Sequence, residues 1–132
     1  MPSYTIYSGS DDGYVLSSGV SWTIVKSGSN LQAVDTSTAA GVGKTLVVST
    51  YVAHQAALVF DTSSIPDSAT VDDVDLVLTS QSNTSITADL EARAHDWGPT
   101  LSTSDWQSDW DSEDLLASYD LSGGWVSGTE YT

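Results

Sequence analysis

The residues best suited to chemistry lie between Trp97 and Asp114. Asp105, Asp109, Asp111, Glu113 and Asp114 fall within ten residues of one another. Hard oxygen donors at alternating spacing suit calcium, so Asp105, Asp109 and Asp111 are the expected ligands of a structural calcium ion. The glycine-centred loop of an EF-hand is absent, so such an ion would fix a loop. Asp11-Asp12 is a second carboxylate pair of this kind, and no other cofactor is expected. In the same stretch, Trp97, Trp106 and Trp110 stand among Asp, Ser and Pro. Exposed indoles stack on sugar faces and neighbouring carboxylates accept hydroxyl hydrogen bonds, so these three are the expected glycan-binding residues. Trp22 and Trp125 sit in alternating or glycine-flanked strand contexts, where an aromatic ring is expected to pack the core.

Reactive constellations are thinner. His54 and His95 are the only histidines and have no zinc-ligand spacing. His95-Asp96 resembles half of an acid/base pair, but no serine stands in a G-x-S-x-G turn to complete a triad. Glycoside hydrolysis needs two facing carboxyls, one with a raised pKa. Most acids here are aspartates in polar loops, where the ionised form is favoured. Gly41-Val42-Gly43-Lys44-Thr45 has the tail of a phosphate loop, but Thr38 replaces its first glycine and the apolar run after it reads as strand. These residues predict a non-enzymatic protein.

Charge narrows the partners. Eighteen acidic residues, fifteen of them aspartate, oppose Lys26, Lys44 and Arg93, for a net charge of −15. Such a chain cannot neutralise phosphates, which excludes nucleic acid and anionic membrane surfaces. The acidic surface fits solubility or adaptation to high salt. With no cysteine, disulfides and thiolate metal sites are excluded. The residues after Met1 are polar, which predicts no cleavable leader, and no apolar run reaches membrane-spanning length. Asn83-Thr84-Ser85 is a glycosylation sequon whose use is not expected without secretion.

The elements that must position these residues read as strands. Serine and threonine number 38 of 132 residues, and their competing hydroxyls and β-branching favour strands and turns over helices. Strands are predicted at 4–7, 14–16, 20–24 (from the alternation of Val20, Trp22 and Ile24), 31–34, 45–52, 56–60, 71–78 and 86–95. Gly28-Ser29-Asn30 predicts a turn, and 36–43 predicts a hairpin connection. Between Trp97 and Tyr119 the alternation is lost. That region reads as a crossover loop, with a capping box at Ser104 and Gln107 and one or two helical turns over 112–119. Eight or so short strands in a chain of this length predict one all-β domain, a jelly-roll-like antiparallel β-sandwich.

The segment Leu58-Val59-Phe60-Asp61-Thr62-Ser63-Ser64-Ile65-Pro66, followed by Ala69-Thr70-Val71, carries a family resemblance. Asp12-Gly13-Tyr14-Val15 and Gly28-Ser29-Asn30-Leu31-Gln32-Ala33 precede it. Ala94-His95-Asp96-Trp97, Trp106, Trp110 and Gly124-Trp125 follow in order. Over residues 11–132 the chain resembles the DNRLRE domains, a β-sandwich group similar to the family-96 carbohydrate-binding modules. His54-Gln55 stands where members often carry an arginine, and Val74-Asp75-Leu76 replaces their Ala-x-Leu. The resemblance implies a sandwich that continues past Gly124-Trp125 into a final strand pair, whereas this sequence stops at Thr132. The expectation is a surface-exposed structural or adhesive module on a virion (capsid decoration, tail or fibre) or extracellular, as a cell-surface appendage subunit. Its partners would be other structural chains or copies of itself. The alternative is a carbohydrate-binding module of a polysaccharide-degrading enzyme, with glycan as ligand.

Overall fold

The structure, a computed structural model, describes residues 3–9, 12–34, 41–82, 89–98 and 100–132. It is all-β, as the strand pattern predicts, built of antiparallel ladders with, among the described residues, one five-residue helix and two 3₁₀ turns. The contacts form two compact units. Unit 1 comprises residues 1–66 and 96–110, and unit 2 comprises 67–95 and 111–132.

Unit 1 is built on a four-stranded antiparallel sheet. Its strands are β1 (Gly13–Gly19), β2 (Gln32–Val34), β3 (Gly43–Val47) and β4 (Thr50–Ala57), in the order β2-β1-β4-β3. The central ladder runs from Gly13 opposite Ala57 to Gly19 opposite Tyr51. Alternate residues of β1 are buried, from Gly13 through Val15 and Ser17 to Gly19, which is the period of a pleated strand with one face on a core. Val15, Ala57 and Leu101 form that core, with Leu31, Ala33, Trp97 and Trp106 packed against it. Ser17 is fully buried yet satisfied. Its hydroxyl donates to the Ser29 carbonyl and accepts from the Ser29 N–H, both at 2.9 Å. Each unmade bond of this kind would cost about 1–3 kcal/mol.

Several expectations are corrected here. The predicted strand at 20–24 is instead helix α1 (Trp22–Lys26). Three apolar residues over five positions cannot separate a period of 2 from one of 3.6. What decides is the Ser21 hydroxyl, which accepts from the Ile24 N–H at the helix start, and Val25, which is 1% exposed. Gly19 admits the helix: a Cβ there would sit 2.7 Å from Ile24 Cγ2. Residues 45–52, expected as one strand, are split by a two-residue turn at Val48-Ser49, so that Val47 faces Thr50. Residues 4–7 and 58–60 form no strand, and only Ser8 and Phe60 make an isolated bridge. The expected hairpin at 36–43 falls partly outside the described residues. The strands flanking it, β2 and β3, occupy opposite edges of the sheet. The corner at 61–66 is present: Asp61 Oδ1 accepts from the Ser63 N–H and the Ile65 N–H donates to the Thr62 carbonyl.

Unit 2 holds two two-stranded sheets. One pairs β5 (Leu78–Thr79) with β8 (Glu130–Tyr131); the other pairs β6 (Asp89–Arg93) with β7 (Leu115–Asp120). The predicted strand at 71–78 enters a ladder only at Leu78-Thr79. The predicted strand at 86–95 is β6 from Asp89 onward, and 86–88 lie outside the described residues, as does the sequon at 83–85. Of residues 112–119, where one or two helical turns were expected, 115–119 are strand, because β6 supplies a ladder partner that outweighs the helix propensity of Leu115, Leu116 and Ala117. A bulge between Ala92 and Arg93 shifts the register, so that Arg93 faces Leu115. Leu121, 7% exposed, is the one buried hydrophobic residue of this unit among the described residues.

Candidate functional site

The two predicted sites take different courses in the fold. Trp97 and Trp106 are part of the unit 1 core layer. The Trp106 indole N–H donates to the Lys26 carbonyl at 3.2 Å. Its ring lies so close to Gly28 that a Cβ there would fall 2.8 Å from Cδ1, and Gly28 has φ +80°, so glycine is required twice over. Gln55 on β4 fixes the same segment from the other side. Its amide donates to the Gln107 carbonyl at 2.7 Å and its carbonyl accepts from the Gln107 N–H at 2.9 Å. Residues 97–107 of the stretch expected as a crossover loop are therefore docked on the sheet of unit 1 by two indoles and a paired amide. Trp110 is half-buried and opens the second 3₁₀ turn.

The carboxylates of the predicted calcium site are engaged with the protein itself. Asp105 Oδ2 accepts from the Ser102 N–H at 2.7 Å and from the Ser102 hydroxyl at 3.0 Å, closing a capping box on the 3₁₀ turn Thr103–Asp105. The box lies two residues upstream of the predicted Ser104–Gln107 pair. Asp111 lies 3.5 Å from Arg93, and Arg93 also pairs with Glu91 at 2.8 Å. Asp12, of the second predicted pair, is buried and accepts from the Val59 N–H at 2.9 Å; Asp11 lies outside the described residues. Among the described residues, no three of His, Asp or Glu are grouped as a metal site would need.

The predicted acid/base pairing also changes. His95 Nδ1 is 3.4 Å from Glu113 Oε1, while Asp96 accepts from the Gly98 N–H. His54 packs edge-on against Tyr14 with ring centroids 5.4 Å apart, and burial lowers its pKa from the usual 6.5. Lys44, the lysine of the phosphate-loop-like run, lies on β3 with its ammonium 5.7 Å from the centre of the Trp22 ring. Gly43–Val47 is strand and not the start of a helix, so that run is no phosphate cradle. Asp61 and Asp120 have pKa values lowered from the usual 3.8 by hydrogen bonds from Ser63 and Ser122.

Two surfaces escaped the sequence reading. The first is on unit 1. Trp22, expected in the core, is 39% exposed, and meets Tyr51 edge-on at 4.7 Å with Lys44 above it. The second is on unit 2, where Leu76, Leu78, Leu90, Tyr119, Trp125 and Tyr131 line an open groove of about 70 Å³. Tyr131 stacks on Trp125 at 5.0 Å and meets Tyr119 edge-on at 5.7 Å, giving three rings in a row. The Trp125 indole N–H is buried there and has no hydrogen-bond partner among the described residues. All six residues of β7 are exposed, and Leu116 is 67% exposed. Val71, Val74 and Val77, on the segment that forms no ladder, are exposed as well. The signal in the sequence was the excess of apolar residues at 71–78 and 115–119 over what so short a segment can cover by itself.

Comparison with protein-family models, with curated proteins and with solved structures found no match. Among the described residues, no helix is long and apolar enough to cross a membrane.

Proposed function

We propose that this protein is a non-enzymatic structural and adhesive module, completed by a neighbouring chain through unit 2. The observation that carries this reading is the contrast between composition and burial in unit 2. Its strands carry Leu78, Leu90, Leu115, Leu116, Tyr119 and Tyr131, yet Leu121 is the one hydrophobic residue of this unit buried among those described, and β7 lies open along its whole length. Large exposed apolar patches on folded domains mark interaction surfaces. A two-stranded sheet needs a third strand or a packed layer to be stable by itself. A jelly-roll-like sandwich of the DNRLRE type, displayed on a virion or as a cell-surface appendage subunit, fits such an arrangement: neighbours in an assembly supply the missing layer.

Hydrogen exchange on the full chain, run alongside light scattering, tests this. The expected result is strong protection of β1 and β4, weak protection of β7, and a gain at β7 only on assembly. A monodisperse monomer protected along every strand would overturn the proposal.

A second reading, a carbohydrate-binding module, is supported by the exposed Trp22 ring beside Tyr51. Binding on a glycan array that is lost in Trp22→Ala and kept in a folded Trp110→Ala variant would establish it at that face. Retention of binding in Trp22→Ala would remove this face from consideration.

A further inference from the structure

We infer that the strand completing unit 2 is cationic and amphipathic, an extended segment in which Lys or Arg alternates with apolar residues. The inference rests on the proposed assembly role and specifies its partner. Unit 2 contains eleven of the 18 acidic residues and one of the three basic ones, Arg93. That cation is already committed to Glu91 and Asp111, and its side chain is only 9% exposed. The remaining carboxylates of this unit therefore have no lysine or arginine of their own unit to neutralise them.

The register sorts these charges by face. Leu90 faces Tyr119 and Ala92 faces Ala117 across the β6–β7 ladder, and all four line the groove. Asp89 faces Asp120 and Glu91 faces Ser118 in the intervening positions; of these four only Ser118 also lines the groove, and none of the three acids does. Like charges directly opposite one another destabilise a strand pair. Among the described residues β7 pairs only with β6, so its other edge offers a row of backbone donors and acceptors. A strand adding there alternates its own side chains between the same two faces. Its groove-side residues must be apolar, to extend the Leu90 and Tyr119 row. Its other residues stand beside Leu116, Ser118 and Asp120, where basic ones meet Asp120 directly and reach toward Asp89 one strand further away. The groove, at about 70 Å³, has several times the room a water molecule needs, and its lining takes an apolar side chain. A second copy of unit 2 would instead bring the same acidic surplus against itself, which close approach penalises.

The test titrates the full chain with three proline-flanked synthetic octapeptides: alternating Val-Lys, alternating Val-Glu and alternating Ser-Lys. Readouts are Trp fluorescence and hydrogen exchange at 115–120. The expected result is binding of Val-Lys alone, with new protection of β7. Raising salt from about 0.05 M to about 0.5 M should weaken it about tenfold, and Asp89→Asn with Asp120→Asn should weaken it about threefold. Equal binding of Ser-Lys would reduce the effect to charge alone and overturn the inference, as would binding of Val-Glu or no binding of Val-Lys. Self-association that protects β7 without any peptide would also overturn it while leaving the assembly role standing. A fully protected monomer would remove both.

Discussion

Unit 1 and unit 2 are made from the same kinds of strand, yet among the described residues only unit 1 closes a core. In unit 1, Val15, Val25, Ala57 and Leu101 are buried, and a long central ladder holds them. Segments distant in the sequence converge on that ladder, as the Gln55–Gln107 pair and the Trp106–Lys26 bond show. Unit 2 has short ladders, a stacked Trp125–Tyr131 pair and an open groove. It also carries most of the negative charge. The difference teaches that apolar content does not make a core: side chains must be brought against other layers, and unit 2 has too few. Apolar burial is worth about 25 cal/mol per Å² removed from water, and an exposed strand such as β7 collects little of it.

The contrast is open to direct attack. A charge placed at Val15, 2% exposed, should be the most damaging change: Val15→Asp is expected to cost more than about 4 kcal/mol and to unfold unit 1, read by chemical denaturation. Leu116→Asp should move stability by no more than about 0.5 kcal/mol in the unassembled chain. Comparable losses from the two would show that unit 2 is packed after all. Next in size is Trp106→Ala, expected to cost about 3 kcal/mol through lost packing on the core and the lost bond to the Lys26 carbonyl. Trp125→Phe removes an unpartnered N–H and should stay within about 1 kcal/mol of the parent.

Smaller effects sharpen the picture at the sheet margin. Val48 has φ +58° and is 96% exposed, so its β-branched side chain is held in the left-handed region with nothing gained in contact. Val48→Gly is expected to stabilise the β3–β4 hairpin by about 1 kcal/mol, visible as a raised Tm. The smallest effect is on pH. Burial lowers the His54 pKa, so the neutral ring is favoured in the folded state. Its contribution to stability is complete above the unfolded value of 6.5 and fades as pH falls through the lower folded value. Denaturation between about pH 7 and pH 5 should show this slope, and His54→Gln should flatten it. An unchanged slope in that variant would remove His54 as its source.

The strand-rich class was legible because serine, threonine and β-branched residues act locally. So was the corner at 61–66, since Asp61 and the residues before Pro66 make turns from their own side chains and backbone. The surroundings of the candidate residues departed from expectation for a common reason. Trp97 and Trp106 lie among polar neighbours but pack on Val15 and Ala57, whereas Trp22 lies in an apolar alternation but ends on an exposed helix face. The polarity of flanking residues reports on the flanks, not on what a ring meets across the fold. The aspartates behaved likewise. Their spacing suited an ion, but Asp105 was taken by the nearest N–H donors, a short-range competition that spacing alone does not reveal.

By itself, then, the sequence determined the β class, the turn chemistry and a net charge of −15, because composition and local backbone preference suffice for these. Only the tertiary structure decided which rings are inside, that 22–26 coils while 115–120 extends, and that one unit is filled while the other stays open. Those outcomes depend on ladder partners and packing layers dozens of residues away, and a strand or helix of five or six residues has too little local free energy to choose without them.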